Sequence, residues 1–399
     1  MIFPYEHVGR ATGLLSETGQ QTSTIFEEMS ALAHQYDAIN LGQGFPDTDG
    51  PSAMLQAAQD AIAEGKNQYA TIAGDEALRK AVATHQHRFY NDSLSTDCVL
   101  ITAGASEAIA SAVAAFVRPG DEVIVFEPFY DICPAAIAQA GAVIKTVPLV
   151  PPTFDPDLDA LENAFSQRTR MVIFNDPHNP TGTVFSPQTK HKIAQLTAEH
   201  DALILQDGVY EHLTFDHQKF SPIFLIPEAK DRTLFVSAIS KTCSATGWRI
   251  GWVTGPQHLI SALKIVKGYF SHSAAAPLQV GAAAALNSPA SFYDGLKVAY
   301  QQQRDILLHG LDNTAWKMQK PQGTFFAVAD ATDLLEKMGA KDAVELATVL
   351  PREAGVAVVP LTAFATKNYK PAVSTWVRFA FCKRPEVLDA AVDRLKTLS

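Results

Sequence analysis

Cysteine is scarce in this 399-residue chain: Cys98, Cys133, Cys243 and Cys382 stand far apart, with no Cys-x-x-Cys pair. That spacing argues against a disulfide framework or a thiolate zinc site and predicts reduced thiols. No uninterrupted apolar run is long enough to span a bilayer. The stretch from Met1 to Arg10 includes Pro4 and Glu6 and has no apolar h-region, so a secretory signal is not expected and a cytoplasmic location is. Basic residues are outnumbered, 32 Lys and Arg against 42 Asp and Glu, for a net charge of −10. Nucleic acid is therefore a poor main partner, although a local basic pocket for phosphate remains compatible. No repeat and no low-complexity linker interrupts the chain.

What is present describes a globular protein: 47% of residues are hydrophobic and 19% charged. The length exceeds one ordinary core, which predicts two domains or one large domain with a smaller appendage. Short β-rich runs alternate with helical patterns, the mark of a mostly parallel sheet covered by helices. The pattern predicts strands at Val99–Thr102, Glu122–Phe126, Val143–Val147, Met171–Asn175, Ala202–Gln206, Leu234–Ser237 and Ile250–Thr254. Helical patterns fall at Ser106–Val117, Ile132–Ala140 and Pro187–His200, and the alanine-rich segment 274–285 reads as a tightly packed helix. Beyond a long helical pattern at Pro289–Asp312, strands near Phe325–Ala329, Val356–Val359 and Trp376–Phe381 mix with helices near Lys341–Glu353 and Pro385–Leu398. The first forty residues show Gly and Thr turns and few strand signals.

The most informative stretch is Ser240–Trp252. Lys241 lies just beyond the apolar run Leu234–Val236, and Arg249 follows eight positions later. Lysine forms Schiff bases with aldehyde cofactors, and burial lowers its pKa toward the reactive amine. Arginine supplies a permanent charge suited to a phosphate. Upstream, Val99–Thr102 leads through Ala103-Gly104-Ala105-Ser106 into a helix start, where free N–H groups make an anion site, with Ser106 placed to cap. By itself such a turn equally fits an ordinary strand-to-helix connection. Asp207 ends a strand at the carboxyl edge, where it suits either a protonated pyridine nitrogen or a simple turn. Arg378, amid apolar neighbours in Trp376–Phe381, needs a carboxylate from a ligand or from a structural ion pair. The glycines of Leu41–Asp47 are not a dinucleotide fingerprint, because the required strand and third glycine are absent.

Taken in order from Leu41 to Phe381, these motifs resemble the pyridoxal-phosphate aminotransferases of the aspartate aminotransferase superfamily (fold type I, class I/II). The run Leu41–Asp47 is a near-verbatim match to the kynurenine, glutamine and methionine aminotransferase group. The resemblance implies an α/β fold with a three-layer, mostly parallel sheet and a smaller α+β domain. Residues 1–45 would pack with the small domain, 46–288 form the large cofactor domain, and 289–399 the small domain. It implies that Lys241 holds pyridoxal 5'-phosphate and moves the substrate proton through two half-reactions. Asp207 would hold the ring nitrogen, Tyr210 and Asn179 the phenolic oxygen, and Tyr130 would stack on the ring. Gly104, Ala105, Ser106 and Arg249 would hold the phosphate, joined by Tyr69 from a second subunit, hence a homodimer with a shared active site. Arg378, Gly44 and Asn179 would bind the amino acid, with methionine, glutamine or an aromatic amino acid as donor and a 2-oxo acid as acceptor.

Many relatives carry a phosphate-contacting serine three residues before the lysine, where this chain has Ala238; either the site has one hydroxyl donor fewer or the adjacent Ser237 substitutes. His272, Tyr5 and Phe26 are candidates for the side-chain pocket but equally fit ordinary packing or surface. Pro128 and Pro180 match positions where relatives have cis prolines. No metal site is expected. Two rival readings share the cofactor: β-elimination from cysteine conjugates, and a non-catalytic effector module.

Overall fold

The computed structural model describes residues 3–16 and 18–398. Its centre is an eight-stranded sheet in the order Val99–Thr102, Gly251–Thr254, Thr233–Ala238, Leu203–Asp207, Thr169–Asn175, Glu122–Glu127, Val143–Val150, Asp155–Pro156. The run from Thr233–Ala238 to Val143–Val150 is parallel throughout. Gly251–Thr254 runs antiparallel to both neighbours. All seven strands predicted for this sheet are present, with ends displaced by a few residues at most.

Side chains alternate across each strand, so the central strands feed two cores. Val123, Val125, Met171, Ile173, Leu205 and Leu234 point to one face, where they meet the helices Gly104–Phe116 and Gln257–Lys267. Ile124, Phe126, Val172, Phe174 and Ile204 point to the other, against Ile193, Ala194 and Leu196 of the helix Pro187–Glu199. Helices on both faces complete three layers. The alanine-rich segment is the helix Ala276–Leu286, whose small buried residues let it lie close against the helix Ser52–Ala63. No helix among the described residues is long and apolar enough to cross a membrane.

A second, four-stranded antiparallel sheet joins Lys317–Met318, Phe326–Asp330, Trp376–Ala380 and Val359–Pro360. The stretch expected as one strand at 356–359 is split. Val356–Ala357 pairs in parallel with Ile39–Asn40, while Val359–Pro360 forms an edge of the four-stranded sheet. An edge position suits Pro360, which has no N–H to give to a further strand. The first forty residues are more helical than their turns suggest, with helices Pro4–Thr12 and Ile25–Gln35. The second begins with a capping box that is legible in the sequence: Thr24 accepts from Glu27 N–H, and the Glu27 carboxylate accepts from Thr24 N–H.

The close contact of the two alanine-rich helices yields a stability test. Ala282 is fully buried, so Ala282→Leu forces extra volume into that contact and should destabilise by about 1–3 kcal/mol. A lowered thermal unfolding midpoint checks this; an unchanged one would mean that the helices have room to spare.

Candidate active site

The parallel strands end along one edge, and chemistry-bearing side chains collect there. Asp207 closes its strand, with Asn175 in register on the neighbouring strand. Lys241 sits on the short helix Ile239–Thr242, directly after the strand Thr233–Ala238. Tyr130, Asn175, Asn179, Asp207, Tyr210 and Lys241 all line one cavity of about 280 Å³.

Burial sets the electrostatics of this cavity. The Lys241 amine is pushed down to about 8, chiefly by desolvation. Its Nζ donates to Gly44 O at 3.2 Å and lies over the rings of Phe325 and Tyr210. Desolvation pushes the Asp207 carboxyl up to about 6, against the lowering effects of the Val209 N–H and Lys241. Its Oδ1 accepts from Val209 N–H at 3.2 Å. A buried carboxylate with so little compensation attracts a cationic N–H. Tyr210 is buried edge-on to Phe325, and burial raises its phenol well above the ordinary value.

An anion cradle flanks Lys241. The helix Gly104–Phe116 starts at the cavity, and Ala105 and Ser106 line it. Gly104 has φ +80°, and a Cβ there would lie 2.4 Å from Arg249 Nη2, so only glycine lets the guanidinium close on this turn. Ser106 does not cap the helix as expected. The helix begins two residues earlier, with Ala103 in the cap position and its N–H donating to Glu107. The Ser106 hydroxyl is thereby left in the first turn, at the cavity wall.

Opposite lies Arg378, buried on the strand Trp376–Ala380. Its Nη1 donates to Asn179 Oδ1 at 2.9 Å and its Nη2 to Gly42 O at 2.7 Å. Nε is buried without a partner, and desolvation lowers the guanidinium to about 10. The guanidinium carbon stands 4.0 Å from the Phe326 ring centroid and 4.6 Å from that of Phe364. No carboxylate of the chain pairs with this buried cation among the ion pairs of the described residues. Gly44 lies alongside, where a Cβ would come within 2.5 Å of the Phe326 ring.

Tyr69 and Ser237 do not line this cavity, Tyr69 being expected to act from a second subunit. Tyr69 is 86% exposed and meets only the edge of His272. Ser237 does not substitute for the missing serine: strand alternation turns it away from the cavity, and its hydroxyl donates to Glu211. Ala238 faces the cavity instead. Sequence reading missed Ser240, which lines the cavity with a buried hydroxyl that has no partner. Its place one residue before Lys241, in a helical turn after the strand, was the available signal. Phe26 forms part of the cavity wall, whereas Tyr5 is mostly exposed. Both Glu127–Pro128 and Asn179–Pro180 are cis.

An unpartnered hydroxyl, an unpartnered guanidinium Nε and an under-compensated carboxylate around a lysine fit a phosphate-bearing pyridine aldehyde. Comparison with known proteins agrees. Residues 36–395 match the family model described as aminotransferase class I and II. The probable N-succinyldiaminopimelate aminotransferase of Mycobacterium tuberculosis is 42% identical over 386 residues, covering 94% of this chain and 96% of that relative. Methionine aminotransferase of Escherichia coli is 37% identical, covering 96% of this chain and 98% of the relative. The solved structure of the mycobacterial enzyme superposes with a TM-score of 0.91 over 95% of this chain and 98% of that one. That of the Escherichia coli protein gives 0.90 at 36% identity, over 96% of this chain and 98% of the other. The protein is thus an α/β enzyme of pyridoxal-phosphate fold type I. It belongs to the class I and II aminotransferases, which work with pyridoxal 5'-phosphate.

The two serines separate under mutation. Ser240→Ala should raise the dissociation constant for pyridoxal 5'-phosphate roughly tenfold, the value of a hydrogen bond to a charged group. Ser237→Ala should leave it unchanged and lower thermal stability, because Glu211 loses a buried donor. Equilibrium titration of the apo-protein distinguishes them; equal effects would place neither hydroxyl at the phosphate.

Proposed function

We propose that this chain transfers the amino group of an L-2-amino acid to a 2-oxo acid, with Lys241 as the proton-moving residue. The observation that supports this most directly is the buried amine of Lys241 between Asp207 and the unpaired Arg378. Pyridoxal 5'-phosphate, when bound, supplies the aldehyde that takes up the amino group and the electron sink that weakens the Cα–H bond. Lys241 Nζ would hold the cofactor's aldehyde carbon and would serve as the base that takes the Cα proton and returns it as an acid. Its lowered pKa gives it a usable neutral fraction near neutrality. Asp207 holds negative charge at the cavity floor and so favours a protonated ring nitrogen. Tyr210 and Asn179 would supply hydrogen-bonding groups to the ring, and Tyr130 a face for stacking. Ala105, Ser106, Ser240 and Arg249 would hold the phosphate, with Gly104 allowing Arg249 to approach.

The amino-acid carboxylate goes to Arg378, which Asn179 and the Gly42 carbonyl orient. The Nε left without a partner makes this a site with an unmet demand for an oxygen acceptor. Phe26, Phe326 and Phe364 form an apolar wall there, which accommodates an unbranched side chain of methionine's kind. The methionine aminotransferase relative supports the same donor class.

A homodimer belongs to this reading. Tyr69, Tyr269 and Ile265 expose between 67% and 90% of their surface. Lys267 Nζ ties the patch together by donating to the Ile72 and His272 carbonyls. A second copy seated there would cover these side chains and bring Tyr69 to its phosphate.

Three measurements test the proposal. L-Methionine added to the holoenzyme should bleach the cofactor's visible band, and a 2-oxo acid should restore it; a band unmoved by any amino acid would overturn the transaminase reading. Arg378→Lys should raise KM for the amino acid roughly 10- to 100-fold, since two charge-assisted bonds become one at best. The rate at which apo-protein captures pyridoxal 5'-phosphate should rise about tenfold per pH unit up to about pH 8 and then level off. The sign follows from the neutral amine being the reactive form; a rise continuing to pH 10 would mean that Lys241 is not desolvated.

A further inference from the structure

Asp207, Asn179 and Arg378 come from a strand of the large sheet, a loop and a strand of the small sheet, yet one line of hydrogen bonds joins them through Asn175. The Asp207 carbonyl accepts from Asn175 Nδ2 at 2.9 Å, and Asn175 Oδ1 accepts from the Asn179 N–H at 2.6 Å. The line ends at Asn179 Oδ1, which accepts from Arg378 Nη1 at 2.9 Å. Both ends of the Asn175 amide are thus engaged by the chain, in opposite senses. A carbonyl only accepts and an N–H only donates, so these two partners fix which end of the amide is which. Asparagine suits the place because it carries a donor and an acceptor on one short planar group; aspartate only accepts, and glutamine is longer.

Strand pairing explains how one residue comes to hold both neighbours. Asn175 ends the strand Thr169–Asn175 in register with Asp207, the last residue of its own strand. One further rung follows, the Asp176 N–H donating to the same Asp207 carbonyl at 2.9 Å, and the chain then turns into the loop that carries Asn179. The Asp207 carboxyl accepts from the Val209 N–H at 3.2 Å, a long bond, so its direction is set chiefly by how the backbone is held. The loop has a separate anchor behind it. Asp176 forms a buried ion pair with Lys190 at 2.6 Å and accepts from the Phe185 N–H at 2.9 Å. Neither of those bonds reaches Asn179 or the Asp207 carbonyl.

We infer that Asn175 is a positioning residue whose amide sets Asp207 and Asn179 at one spacing, so that the carboxyl for the ring nitrogen and the grip on the substrate carboxylate are aimed together. This rests on the aminotransferase reading and on the roles given there to Asp207, Asn179 and Arg378. Asn175 lines the cavity, but it acts through these neighbours. Asn179 and Asp207 are buried, so each bond is stronger than it would be in water, and a partner left without it is costly.

The experiment compares, by equilibrium titration of the apo-protein, pyridoxal 5'-phosphate with its analogue that has carbon in place of the ring nitrogen. The parent should prefer the natural cofactor, because only that one offers Asp207 a ring N–H. In Asn175→Ala and in Asn175→Thr, a residue at home at a strand end, neither side chain can bridge both partners. Either variant should shrink the preference roughly tenfold and raise KM of the loaded enzyme for L-methionine roughly fivefold. Lys190→Met loosens the same loop from behind; it should lower the thermal unfolding midpoint and leave the preference and KM at parent values. An unchanged preference in the Asn175 variants would overturn the inference. So would an equal loss of affinity for both compounds, which would mean that Asn175 touches the cofactor itself or serves the fold alone. The same changes in Lys190→Met would overturn it as well, by making loop stability the cause. A parent that binds both compounds equally would instead fail the role of Asp207, and one that binds neither would fail the aminotransferase reading, and this inference with it.

Discussion

Two cations and a carboxyl, Lys241, Arg378 and Asp207, share a cavity from which much of the water is withdrawn, and most features of the site answer to that constraint. Desolvation disfavours each charged form, which is why the lysine and arginine sit below their ordinary pKa values and the aspartate above its own. The three do not neutralise one another by contact. Each is held apart by rigid elements: the end of one strand, the turn after another, and the middle of a strand in the second sheet. Charges kept near each other but unpaired are costly to fold. They are also ready for a ligand that brings complementary charges in the right places.

Behind the cavity a second buried network steadies the segments that carry the site. Glu211, next to Tyr210, accepts hydrogen bonds from Ser237 and Tyr90. Ser237 in turn lies on the strand that leads into Lys241. Beside them His85 and His212 meet through their Nε2 atoms at 2.7 Å, and burial keeps both rings neutral. The alternation of a single strand therefore decides two matters at once. Ala238 faces the cavity, and Ser237 joins the network behind it.

Much of this was legible in the chain. The strands of the large sheet announce themselves as continuous apolar runs, because burial on both faces leaves no room for alternation. Lys241, Asp207 and Arg378 stood out because each is a charged residue at the end of, or inside, such a run. Less legible were features set by three-dimensional register. Whether Ser237 or Ser240 faces the cavity depends on a strand giving way to a helical turn at Ile239, a change of period that no residue type signals. The split at Val358 was hidden for a similar reason, since an unbroken apolar stretch can serve two different partners.

The pairing of Ile39–Asn40 with Val356–Ala357 reaches further than its two residues. Leu41 continues it, donating to Ala357 O and accepting from Ala380 N–H. Gly42 and Gly44 follow, so the backbone at Gly44, which lines the cavity, is spliced to the strand that carries Arg378. These two parts of the cavity wall are therefore joined in one unit, although they lie at opposite ends of the chain. Because Gly44 O also accepts from Lys241 Nζ, this one pairing couples the small sheet, the N-terminal segment and the lysine of the large sheet through a chain of backbone contacts.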